Sequence, residues 1–129
     1  MNELPKRFTI WTEKSGKIQA EVGSENPTTA EIVLKALPIK GKVNRWGDEI
    51  YFSTPVKTSE ENGREEVELG SIAYWPPGKA ICIFFGPTPV SDGNTPRAAS
   101  NVNVFAKIIG DPTVFKKVRD GDTVTLQLE

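Results

Sequence analysis

Apolar positions in RFTIWTEKSGKIQAEV, residues 7–22, recur at a spacing of two. Phe8 and Ile10 share one face, and after a polar turn at residues 14–17 the residues Ile18, Ala20 and Val22 return on one face. Side chains alternate across a strand, so this stretch predicts a β-hairpin. The spacing then changes. In NPTTAEIVLKALP the apolar residues Ala30, Val33, Leu34 and Leu37 recur at three and four, which predicts a helix over residues 28–37 stopped by Pro38. Thr28, with Glu31 three residues later, has the form of a capping box. A single apolar stripe implies that the helix lies against something, most naturally an open end of a sheet or barrel.

Beyond the helix, IKGKVNRW and EIYF read as two strands joined at Gly47-Asp48. Residues 57–68 are charged, with no apolar period before Val67, and read mostly as an exposed loop. SIAYW and KAICIFF follow as strands, the second apolar enough to be buried on both faces. Prolines at 76, 77, 87 and 89 bracket that second strand; proline cannot donate to a ladder, so they mark stiff corners. Residues 86–100 form a long loop rich in Pro, Gly, Ser and Thr, a class more often functional or mobile than its surroundings. VNVFAKII is a strand. In DPTVFKKV, Asp111 at the cap and Pro112 in the first turn predict a short helix. TVTLQL closes the chain as a strand with Val124, Leu126 and Leu128 on one face. Many short strands with two short amphipathic helices indicate a mainly β fold, either a closed barrel or a sandwich with helical plugs.

The 129 residues suit one domain, taken as 1–129, and a chain of this size can bury a real core. Lys and Arg total 16 against 17 Asp and Glu, a formal charge of -1, so no nucleic-acid partner is expected. Histidine is absent, which excludes Ser-His-Asp and Cys-His catalysis and imidazole-ligated metals. Cys82 is the only cysteine, so there is no intrachain disulfide and no CxxC motif; within AICIFF it reads as a small buried hydrophobe. Glu65, Glu66 and Glu68 adjoin the charged loop and read as a solvated run rather than as converging carboxylates. No cofactor and no metal are expected. The N-terminus lacks the apolar core of a signal peptide and no run has the length of a membrane span, so the expected location is the cytoplasm, with no membrane partner.

VNVFAKIIGDPTVFKKVRDGD, residues 102–122, resembles the cyclophilin segment in which a strand ending Val-Phe-Gly-Lys-Val leads into a helix with Val-x-x-Lys-Ile; Ala106 stands at the usual glycine. ICIFFG, residues 81–86, resembles that family's buried Gln-Phe-Phe-Ile strand without its glutamine. WGDEIYFSTPV and GSIAYWPPGKAICIFFGPTP are more closely similar to a small prokaryotic branch of cyclophilin-like proteins of unassigned activity. The resemblance covers nearly the whole chain. It implies a closed cyclophilin-like β-barrel with one longer and one short helix packed at its ends. Cyclophilins isomerise prolyl bonds with an arginine that follows a histidine, beside a Phe-x-x-Gln-Gly-Gly run. Here Asn44-Arg45 supplies the arginine without the histidine, and WGDEIYF replaces the run, so Arg45 alone carries over as a catalytic candidate.

Read from the residues themselves, Arg45 is either a hydrogen-bond donor to a twisted prolyl nitrogen or a surface residue covering Trp46. In EIYF, Ile50 and Phe52 share one face while Glu49 and Tyr51 share the other. Together with Trp46, and with Trp75, Phe85 and Thr88 beside the proline corners, they make a candidate aromatic pocket oriented by Glu49. Two functional readings follow. One is a binding module for a small molecule or a proline-containing peptide. The other is a weak prolyl isomerase acting through Arg45.

Overall fold

The computed structural model of the chain describes residues 4–129. The hairpin forms as β1 (Arg7–Thr12) and β2 (Gly16–Val22), with Phe8 opposite Ala20 and Ile10 opposite Ile18. Helix α1 (Pro27–Ala36) follows, then β3 (Ile39–Lys42), β4 (Asn44–Arg45) and β5 (Glu49–Ser53). A short β6 (Arg64–Glu66) precedes β7 (Ser71–Trp75), β8 (Ala80–Phe84), the long β9 (Arg97–Ile108) and β10 (Thr123–Leu128). Two 3-10 turns, Pro76–Gly78 and Pro112–Lys117, occupy the remaining corners. The described strands make one antiparallel sheet in the order β3-β10-β1-β2-β9-β7-β8-β5-β4, with β6 paired to β9 off this path.

The expected closed barrel is therefore an open path of hydrogen-bonded strands. β3 spends all four of its residues on β10, and both residues of β4 pair with β5, so no ladder joins the two ends among the described residues. The ends are nevertheless joined covalently. Only Val43 separates β3 from β4, which curls the sheet until its first and last strands are neighbours in the chain.

Several boundaries differ from the sequence reading. IKGKVNRW is broken at Val43 into two strands, and the charged loop contributes β6. β9 begins at Arg97, inside the stretch read as loop. A register shift between Ile72 and Ala73 places a bulge at Phe105, which has no partner on β7, and bends β9. That bend lets β9 pair with β2 and β7 toward its end and with β6 nearer its start. Leu128 is 47% exposed rather than buried with Val124 and Leu126.

α1 covers one side of the sheet against β9 and sends Ala30, Val33 and Leu34 into the core, whereas Leu37 is the half-buried C-cap. No capping box forms. Asn26 is the N-cap, and its amide donates to the Val104 carbonyl instead of capping the helix. The free N–H groups of Thr28 and Thr29 donate to the carboxylate of Glu61, at 3.1 and 3.0 Å. The second turn matches its prediction: Asp111 accepts from the Thr113 N–H.

Alternation along the strands divides the interior in two. The main cluster holds Phe8, Ile10, Ile50, Phe52, Ile72, Ile81, Ile83, Phe85 and Phe115, among others. The residues between them on the same strands, Ala73, Cys82 and Phe84, face the other way and join Val67, Ala98, Val102 and Val104 in a smaller cluster, with Tyr51 and Trp75 at its margin. β8 is buried along its full length because it lies between these two clusters. No helix among the described residues is long and apolar enough to cross a membrane.

Candidate functional site

The smaller cluster stops short of filling its own space. A cavity of about 220 Å³ remains over its outer end, lined by Trp46, Glu49, Tyr51, Trp75, Cys82, Ala98, Ala99 and Val102. Register explains the hollow. Cys82 pairs with Tyr51 on one side and Ala73 on the other, so two small residues in a row leave space beside the Tyr51 ring. The first residues of β9 contribute only Ala98 and Ala99.

Each wall is held from behind. Trp46 and Glu49 exchange backbone hydrogen bonds across a two-residue turn, 2.9 and 3.2 Å. Gly47 takes a φ of +61° there, the left-handed conformation that such hairpins require at their first turn position. A Cβ at that glycine would also lie 2.8 Å from Pro89, so the proline loop packs directly on the turn. The Asp48 N–H donates to the Pro87 carbonyl (2.9 Å) and the Phe85 N–H to the Asp48 carbonyl (2.9 Å). Trp75 ends β7, and its indole N–H donates to Ser100 Oγ at 2.7 Å. Its ring folds back over the next turn, where a Cβ on Gly78 would come within 2.5 Å of it.

Glu49 is the polar centre. It is only 5% exposed, and its Oε1 has no hydrogen-bond partner among the described residues. Burial pushes its carboxyl up to about 7, with the neighbouring Cys82 thiol pulling partly the other way. Burial, and then the charge of Glu49, push the Cys82 thiol well above its ordinary value, so it is not a nucleophile near neutral pH. No three acidic or thiol side chains among the described residues converge as a metal site.

Of the residues singled out in the sequence, Trp46, Glu49, Tyr51 and Trp75 meet at this cavity. Phe85 does not: it is 1% exposed in the main cluster, because in AICIFF it alternates with Phe84 and points to the opposite face. Thr88 is 6% exposed and turned inward, bonding Ser91 and the Arg97 carbonyl to brace the loop. Arg45 also lies outside the cavity. Its guanidinium donates to the Gly47 carbonyl, to the carbonyls of Lys116 (3.0 Å) and Val118 (2.9 Å), and to Asp48 (2.9 Å). It stacks 4.9 Å over the Phe85 ring, on the main-cluster side of the strand. Cys82, Ala98, Ala99 and Val102 were missed as lining residues. Cys82 could have been placed by extending the Glu49–Tyr51 face across to β8, whereas the alanines carry no signal beyond their small size.

A model of the cyclophilin-like family matches residues 6–127. The chain belongs to that family. The cyclophilin-like chain also aligns with the solution structure of a hypothetical protein from Archaeoglobus fulgidus at 44% identity. The match has a TM-score of 0.82 and covers 99% of this chain and 98% of the other. No functionally curated protein matches.

Proposed function

We propose that this cyclophilin-like protein is a binding module whose ligand enters the cavity over Cys82, stacks against Trp46, Tyr51 and Trp75, and is oriented by Glu49. The observation that carries the reading is the buried, unpartnered Oε1 of Glu49 at the polar centre of an aromatic hollow. A buried polar atom without a partner is costly, and a ligand group that satisfies it recovers that cost. The walls are fixed before any ligand arrives, by the Gly47 turn and by the Trp75–Ser100 hydrogen bond, so little ordering is left for binding to oppose. At about 220 Å³ the hollow is smaller than the roughly 300–1,000 Å³ of drug-sized sites. The expected ligand is correspondingly a small group or the end of a longer molecule.

Nothing favours isomerisation through Arg45, whose donors are committed to three carbonyls and a carboxylate. The test is a thermal-shift screen of small ring compounds and amines, because selective binding to the folded state raises its melting temperature. Hits should quench tryptophan fluorescence and weaken by about 2 kcal/mol or more in Trp75→Ala, the scale of a desolvated anchor. A screen whose hits bind Trp75→Ala unchanged would place the site elsewhere.

A further inference from the structure

We infer that the ligand of this cavity is an organic cation, a methylated ammonium group caged by Trp46, Tyr51 and Trp75 against the carboxylate of Glu49. This rests on the reading of the cavity as a binding site and adds the charge of what it binds. Among the described residues, seven of the eight that line the cavity have aromatic, aliphatic or thiol side chains, and Glu49 supplies the one carboxyl. No lysine or arginine lines the cavity.

The nearby cations are already paired. Arg45 and Lys116 approach Asp48 at 2.9 and 4.0 Å, on the turn. Arg97, at the start of β9, pairs with Glu65 and Asp92. When Glu49 is ionised, its countercharge therefore comes with the ligand. An inorganic ion is a poor candidate, because one carboxylate and three ring faces do not supply the six or more oxygens that a hard cation takes. An alkylated ammonium suits the same walls. Its charge is attracted by the negative faces of indole and phenol rings, and its methyl groups bury apolar surface. That charge, rather than a donated hydrogen bond, offsets the ionised Glu49 Oε1.

The proton on Glu49 should then compete with the ligand. Lining the cavity with Glu49 are two other titratable groups, the Tyr51 phenol and the Cys82 thiol, and the thiol is held neutral by burial. With the Glu49 carboxyl at about 7, the ionised form rises about tenfold between roughly pH 6 and pH 8, and apparent affinity should rise with it.

The experiment is a tryptophan-fluorescence titration of the full chain with four probes: choline, its uncharged carbon isostere 3,3-dimethylbutan-1-ol, phenol, and a blocked trimethyllysine. The inference expects choline or trimethyllysine to bind at least about tenfold more tightly than the isostere. It also expects that preference to fall below about threefold in Glu49→Gln, and to grow from pH 6 to pH 8. Whichever cation binds more tightly distinguishes a free small molecule from a modified side chain, and either result supports the inference. Equal binding of choline and its isostere to the unmutated protein, or binding of phenol alone, overturns the cation while leaving the binding module standing. Silence from all four probes overturns both.

Discussion

Glu49 stands on a strand position that alternation alone assigns to the face opposite Ile50 and Phe52, and it is there that burial raises its carboxyl to about 7. The sign of the consequence is fixed. An ordinary carboxyl near 4.5 in the unfolded chain holds its proton less tightly than the folded one, so the native state binds more protons between those values. The stability this proton contributes is complete below about pH 4.5 and is lost as pH rises through about 7, on the order of 3 kcal/mol in all. Glu49→Gln should therefore flatten the unliganded protein's stability across that window. Urea denaturation at several pH values would check it, and a mutant curve parallel to the parent's would refute it. The face of Glu49 and Tyr51 was readable from period two. That of Phe85 was not, because AICIFF is apolar on both sides and alternation cannot say which side borders the cavity. Thr88 misled for a related reason, since a loop hydroxyl can face a ligand or its own backbone and only the fold decides.

At the scale of elements, α1 was legible from its apolar stripe and Pro38, to within one residue at each end. Its cap was not. The local pattern names Glu31, which instead pairs with Lys35 on the exposed side, while Glu61 reaches the first turn from a loop thirty-odd residues away. Burial alone would raise the Glu61 carboxyl, but the hydrogen bonds from Thr29 and Thr28 outweigh it and hold it below the usual value. Glu61→Ala should cost about 0.5–2 kcal/mol, as the loss of a helix cap does. Glu31→Ala should change stability by less than about 0.5 kcal/mol, as for an exposed ion pair. Chemical denaturation of the two variants side by side separates the assignments, and equal effects would return the cap to Glu31. β6 escaped detection for a similar reason. REE has no apolar period, and it becomes a strand only because bent β9 offers it an edge.

For the molecule as a whole, the mainly β character followed from the pattern, while closure did not, because closure depends on strand tilt and stagger, which a period of two does not encode. Arg45 acts at this scale. It ties the Pro112–Lys117 turn to the β4–β5 turn through carbonyls on both and covers Phe85, whose ring lies 6.2 Å from that of Phe115. Arg45→Ala should lower stability by about 2–3 kcal/mol, the scale for losing charge-assisted hydrogen bonds. Prolyl isomerase turnover should be near background in the parent and no lower in that variant, and robust turnover abolished by Arg45→Ala would reverse this assignment. The pairing of β1 with β10 carries a mechanical consequence. Phe8 lies opposite Leu128 in antiparallel register, so the segments leading into Arg7 and out of Leu128 leave from the same end of one ladder. A pull through those two segments would load the rungs one after another and peel the strands apart like a zipper. Tethered by those segments, the fold would yield to small forces that it would withstand if pulled along its strands.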